Sequence, residues 1–82
     1  MMTVQYETQK KFKLEEMNAL IEGLSPSDSA FGVNEGGEEI YFSSRLVERM
    51  QVNVGDEVIA HCVPNYPDQK HIVPWRCIKI SQ

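Results

Sequence analysis

Cysteine is scarce in this chain of 82 residues, and Cys62 and Cys77, its only two, are too few for a disulfide framework. Met1–Lys10 has no apolar stretch of the kind that marks a secretory signal. Both thiols are therefore expected to be reduced, in a cytoplasmic, intracellular protein. No run approaches the ~18 consecutive apolar residues of a membrane span, so no membrane partner is expected. Metal-ligand spacing is missing as well. His61, Cys62, His71 and Cys77 are ligand types, but His61 and Cys62 are neighbours in a predicted strand, where adjacent side chains point to opposite faces, and neither C-x-x-C nor H-x-x-x-H occurs. No cofactor is expected. There is no G-x-x-x-x-G-K phosphate loop and no G-x-S-x-G nucleophile turn, and Glu38 and Glu39 are turn neighbours with no nucleophile motif beside them. The chain is expected to be non-enzymatic.

Positive charge is also in short supply: 8 Lys and Arg stand against 12 Asp and Glu, a net charge of −4. Nonspecific affinity for nucleic acid comes mainly from cations that displace counterions from phosphates, so any such binding has to be local. The cations do fall in groups: Lys10, Lys11 and Lys13, then Arg45 and Arg49, then Lys70, Arg76 and Lys79. The acids Glu35, Glu38 and Glu39 form a group of their own. The plain reading of each group is a solvated face.

At this length the chain is one domain, burying about 60 to 65% of its unfolded surface in a small core. Met1–Glu16 is polar, has no clear period, and reads as an arm or short helix; residues 17–82 read as the domain. Leu14–Leu24 is ambiguous, because Leu14, Met17, Ile21 and Leu24 fall at helical spacing while Ala19 and Ile21 share a strand face. A strand over Met17–Leu24 is favoured, since the segment enters the turn Ser25-Pro26-Ser27-Asp28 and then a definite strand; helix stays open as the alternative. Ala30–Asn34 carries Phe31 and Val33 on one face, Gly36-Gly37 supplies a tight connection, and Glu39–Ser43 is the partner strand. Ile40 and Phe42 make the better core pair, so Tyr41 and Ser43 face outward, Tyr41 beside Phe31.

Ser43 or Ser44 can cap a helical turn that plugs one end of the sheet, with Leu46, Val47 and Met50 apolar and Arg45 and Arg49 one turn apart. Gly55-Asp56 marks the next turn, and Glu57–Val63 alternates with Val58, Ala60 and Cys62 on one side. Pro64–Asp68 is an exposed loop, and His71–Ile80 is the last strand, with Pro74 imposing an edge or bulge ahead of Ile78 and Ile80. Trp75 completes the core or, beside Arg76, adds a stacking group; the first reading is preferred. Together these elements describe an all-β, five-stranded OB-type Greek-key barrel with a short helical turn between strands three and four.

The residues F-G-V before an acidic, glycine-rich turn, then E-E-I-Y-F-S-S and later G-D-E-V-I-A, resemble the cold-shock domains, most closely those of RNase R type exoribonucleases, here as a stand-alone domain. The similarity spans about Ala19 to Ala60. It implies a barrel whose second and third strands offer aromatic side chains to single-stranded RNA or DNA, the matching outward positions being Phe31, Val33, Tyr41 and Ser43. Val33 and Ser43 stand where the family usually has a second aromatic and often a histidine.

The functional expectation is single-stranded nucleic-acid binding, RNA before DNA, with Phe31 and Tyr41 stacking bases and Arg45, Arg49, Lys10, Lys11 and Lys13 contacting phosphates. The rival is a protein-protein interaction module in which the barrel binds a macromolecular partner such as a polymerase or ribosomal component. A plainer alternative, that Phe31 and Tyr41 cover the core from a strand end or pack under the N-terminal arm, leaves the face without a ligand. Charge separates the first two: a nucleic-acid binder concentrates cations around Phe31 and Tyr41, whereas an interaction module surrounds them with Glu35, Glu38 and Glu39. A prediction about folding follows from the missing spacings. Chelator and reductant are expected to leave the thermal midpoint unchanged, and a large drop with chelator alone would contradict the dismissal of His61, Cys62, His71 and Cys77.

Overall fold

The structure, a computed structural model, describes residues 14–69 and 72–81. Lys10, Lys11 and Lys13, and with them most of the expected arm, lie outside the described residues, as do Lys70 and His71. The elements are β1 (Glu15–Leu24), β2 (Ala30–Asn34), β3 (Glu39–Phe42), α1 (Ser44–Met50), β4 (Glu57–Pro64) and β5 (Trp75–Ser81). The five strands close into a barrel in the order β1-β2-β3-β5-β4, with β4 returning to β1; β3 and β5 run parallel and all other pairs antiparallel. The fold is all-β, a mixed five-stranded barrel with one short helix between β3 and β4, consistent with the OB type. No helix among the described residues is long and apolar enough to cross a membrane.

β1 is a strand, beginning two residues before the expected Met17. Ala19 and Ile21 are buried while Leu14, Leu20 and Leu24 are exposed, which is the period of a pleated strand and not of a helix. Its first half pairs with β4 from Glu15 to Leu20 and its second half with β2 from Ala19 to Leu24. A register shift between Ile21 and Gly23 bends it from one neighbour to the other. The turn before β4 closes on the same point: Gly55 donates to the Ile21 carbonyl at 2.8 Å and Ile21 donates to that of Asp56 at 2.9 Å.

Each connection has its own chemistry. Ser25 Oγ accepts from the backbone N–H groups of Ser27 and Ser29, both at 3.2 Å, and holds the β1–β2 turn in which Asp28 takes a φ of 70°. In the β2–β3 turn Asn34 Oδ1 accepts from Gly36 N at 3.0 Å and Glu38 N at 2.9 Å, and Gly37 supplies a φ of 83°. Ser43 is the cap of α1: its Oγ accepts from Leu46 N at 3.3 Å. Leu46 and Val47 are buried and Met50 packs on the core, so α1 closes one end of the barrel.

Phe42, Ile21, Ile40 and Cys62 are the largest fully buried side chains. Gly32 sits on the inner face between Ile21 and Ile40, its register partners on β1 and β3. A Cβ there would lie 2.7 Å from the Leu20 carbonyl oxygen and 2.9 Å from the edge of the Phe42 ring. The absence of a side chain at Gly32 is thus what lets β1 and Phe42 close over it. In β5, Ile78 and Ile80 are two residues apart but differ in setting: Ile80 is buried, whereas Ile78 is 48% exposed. The β4–β5 register steps from His61↔Lys79 to Cys62↔Cys77, so Ile78 is the extra residue of a bulge and turns outward.

Gly32→Ala is expected to cost about 1 to 3 kcal/mol, the usual penalty for overpacking a tight core. A lowered urea midpoint at unchanged slope is the readout. No shift in midpoint would mean that β1 yields easily at this point.

Candidate functional site

Phe31 and Tyr41 are opposite one another in the β2–β3 ladder, and Tyr41 is opposite Arg76 in the β3–β5 ladder. The three side chains form a row across three strands on the outer face. The two rings meet edge to face, centroids 6.1 Å apart at 61°, a geometry in which the positive edge of one ring faces the negative face of the other. Phe31 is 38% exposed, Tyr41 is half-buried, and neither belongs to the core cluster. Covering the core from a strand end does not describe their setting, and the N-terminal arm, the other expected cover, lies outside the described residues.

The row is the floor of a groove of about 790 Å³. One wall is α1, which contributes Arg45 and Arg49; the other is the loop after β4, which contributes Asn65, Tyr66, Gln69 and Ile72. That loop's described residues are bonded to one another. Asn65 Nδ2 donates to the Val73 carbonyl at 2.8 Å, Asn65 N to that of Pro74 at 2.9 Å, and Tyr66 N to Asn65 Oδ1 at 2.9 Å. Tyr66 is brought over Arg76, with the guanidinium carbon 4.5 Å from the ring centroid, a cation–π contact. Three arginines line the groove and, among the described residues, no Asp or Glu does.

The expected site residues divide. Phe31, Tyr41, Arg45 and Arg49 come together in the groove; Ser43 also lines it, but its hydroxyl caps α1. Two residues along β2 from Phe31, roughly 6.6 Å at ~3.3 Å per residue, Val33 has left the groove. It lines instead a second recess of about 580 Å³ with Asn18, Leu20, Glu35 and Glu57. Tyr66 and Arg76 are the members that the sequence did not nominate as binding residues. Arg76 is placed opposite Tyr41 by the β3–β5 register, which is a tertiary fact, and nothing local marked Tyr66.

The acids are engaged elsewhere. Glu38 Oε1 accepts from Trp75 Nε1 at 2.9 Å and from Asn34 Nδ2 at 3.1 Å, tying the β2–β3 turn to the start of β5. These bonds, that from Trp75 first, hold the Glu38 carboxyl below the ordinary glutamate range. Trp75 packs against the core and does not line the groove, which agrees with the preferred reading of that residue. Cys62 and Cys77 face each other across the β4–β5 ladder as buried free thiols, and the contact with Cys77, then burial, pushes the Cys62 thiol far up. His61, on the opposite face, lies 3.0 Å from Ser81 Oγ. Among the described residues no group of three His, Cys, Asp or Glu could hold a metal ion.

Because the folded-state pKa of Glu38 is depressed, its contribution to stability is present above the ordinary value of 4.5 and is lost as pH falls through the folded value. Acid titration of the native protein is expected to change the emission of its one tryptophan, Trp75, below that value. Glu38→Gln keeps an acceptor oxygen and should abolish the transition. An unchanged titration in the variant would show that another group governs the indole. Comparison of the chain with protein-family models, with curated proteins and with solved structures gives no match.

Proposed function

We propose that the chain binds single-stranded nucleic acid, RNA before DNA, in the groove floored by Phe31 and Tyr41, as a non-enzymatic, cytoplasmic protein of cold-shock-like type. The observation that carries this reading is the charge of the groove. In a chain with a net charge of −4, the groove gathers three arginines and, among the described residues, no carboxylate. An interaction module was expected to surround the same rings with Glu35, Glu38 and Glu39, and none of these lines the groove.

Rings and cations have separate roles in such a complex. Stacking on an exposed aromatic is worth about 1 to 3 kcal/mol per base and tolerates any base, since every base has a π-face. Arg45 and Arg49 project from α1 on exposed positions beside the floor, suited to phosphates that follow the stacked bases. The orientation of α1 matters for this role, and Ser43 supports it through the cap.

The test is a titration with short single-stranded RNA at two salt concentrations. Phe31→Ala with Tyr41→Ala is expected to cost about 2 to 6 kcal/mol of binding while the protein remains folded. Arg45→Gln with Arg49→Gln should weaken binding to all sequences and flatten the salt dependence by about 1.4 in slope, at ~0.7 per lost phosphate contact. If the doubly substituted ring variant stays folded and binds as before, the platform is elsewhere. No binding of RNA or DNA by the unmodified protein at low salt would give first place to the protein-interaction module.

A further inference from the structure

Arg76 differs from the other arginines of the groove. Arg45 and Arg49 are exposed on a helix, as cations that follow a backbone usually are. Arg76 is half-buried, sits on β5 opposite Tyr41, and is covered on one side by Tyr66. Its Nε is buried and has no hydrogen-bond acceptor among the described residues. Leaving a buried donor unpaired is costly, and holding a long side chain in one orientation costs rotamer entropy. Half-buried on β5 and covered by the Tyr66 ring, the guanidinium is held in one orientation before any ligand arrives.

Resting on the function proposed above, we propose that Arg76 reads the edge of the base stacked on Tyr41, making the groove selective for single strands that carry guanine or cytosine at that position. Neighbouring strands are ~4.8 Å apart. A base laid on the Tyr41 ring from β3 therefore extends one edge over β5, towards the guanidinium. Arginine only donates, and its fork requires two adjacent acceptors. Guanine supplies them in O6 and N7, and cytosine in O2 and N3. Adenine and uracil have a donor beside each acceptor on their hydrogen-bonding edges, so the fork meets one acceptor and one repelling N–H. Tyr66 has the supporting role of fixing the plane of the guanidinium by stacking on it. A phosphate would also accept the fork, but the place of Arg76 in the aromatic row, on a strand and beside Tyr41, favours the base.

The experiment is an anisotropy series with a short oligouridylate in which one central base is uracil, adenine, cytosine, guanine or 7-deazaguanine. For the unmodified protein, guanine and cytosine are expected to bind roughly 5- to 150-fold more tightly than uracil and adenine, the range for one bidentate pair. Replacing guanine by 7-deazaguanine, which lacks only the N7 acceptor, should remove most of that gain. Arg76→Lys keeps the charge and loses the fork, so it should erase the base preference while oligouridylate binding survives; Tyr66→Ala should narrow the preference. The series on the unmodified protein needs no variant to fold. Binding without base preference would overturn the inference and leave the proposed function standing, whereas failure to bind any oligonucleotide would remove both. If Arg76→Lys weakened every oligonucleotide alike and the preference persisted, Arg76 would be a phosphate contact and the inference would fail.

Discussion

Closure of the barrel depends on β1 forming hydrogen-bonded ladders on both of its edges. Six of its residues, Glu15 to Leu20, pair with β4, and the run from Ala19 to Leu24 pairs with β2. Only a strand that bends can serve both neighbours, and the bend has two sources. The register shift between Ile21 and Gly23 adds local twist, and Gly32 leaves room for the Leu20 carbonyl to approach within what would be a clash for any larger residue. With β1 closed on β4, every described strand has a hydrogen-bonded neighbour on both sides. Closure also brings β5 beside β3, which is the step that completes the candidate site: the β2–β3 hairpin alone pairs Phe31 with Tyr41, whereas Arg76, distant in sequence, joins them only when β5 lies against β3.

The walls of the groove follow from the same topology. The chain leaves β3 through Ser43, whose hydroxyl caps α1, so the helix that closes the barrel end also stands beside the aromatic floor with Arg45 and Arg49 on its exposed side. At the opposite flank the chain passes from β4 to β5 through a loop stiffened by Asn65, which sets Tyr66 over Arg76. Acidic side chains are kept apart from this region by use rather than by number. Glu38 is bound to Trp75 and Asn34, and Glu35 and Glu57 line the recess on the far side of β2. A negative chain can therefore present a positive groove, because the field at a cleft depends on which charges line it more than on their sum.

The strands were legible because each carries its own evidence. Alternation at Ile40 and Phe42 against Tyr41, the Gly36-Gly37 turn and the Gly55-Asp56 turn are local signals, and they give the outward pair Phe31 and Tyr41 before any tertiary information. The β5 bulge was not legible. Ile78 and Ile80 are two apart and equally apolar, so period alone puts them on one face; only the pairing of Cys62 with Cys77 reveals that Ile78 is the inserted residue. Val33 shows a different limit. Parity put it on the face of Phe31, correctly, but a face on a strongly bent barrel is not one surface, and two residues of rise move it into the second recess. Tyr66 was beyond local reading, since its place over Arg76 depends on bonds from Asn65 to Val73 and Pro74 that span the loop.

Rigidity is distributed unevenly across the groove, and this bears on how a ligand would be selected. The floor is part of the hydrogen-bonded barrel: Tyr41 and Arg76 are both in paired strands, and the Phe31 ring rests on the edge of Tyr41. Among the described residues the α1 arginines are anchored only at their backbone, so in the proposed complex their long side chains could follow a phosphate through several positions at little cost. A cation free to move favours any sequence equally, whereas a planar fork held by Tyr66 can discriminate, because a mismatched base cannot be accommodated by turning it. Under the proposed function, the division of the cations into mobile and fixed would be a division between affinity and selectivity, set by whether a residue sits on the capping helix or on the strand that completes the barrel.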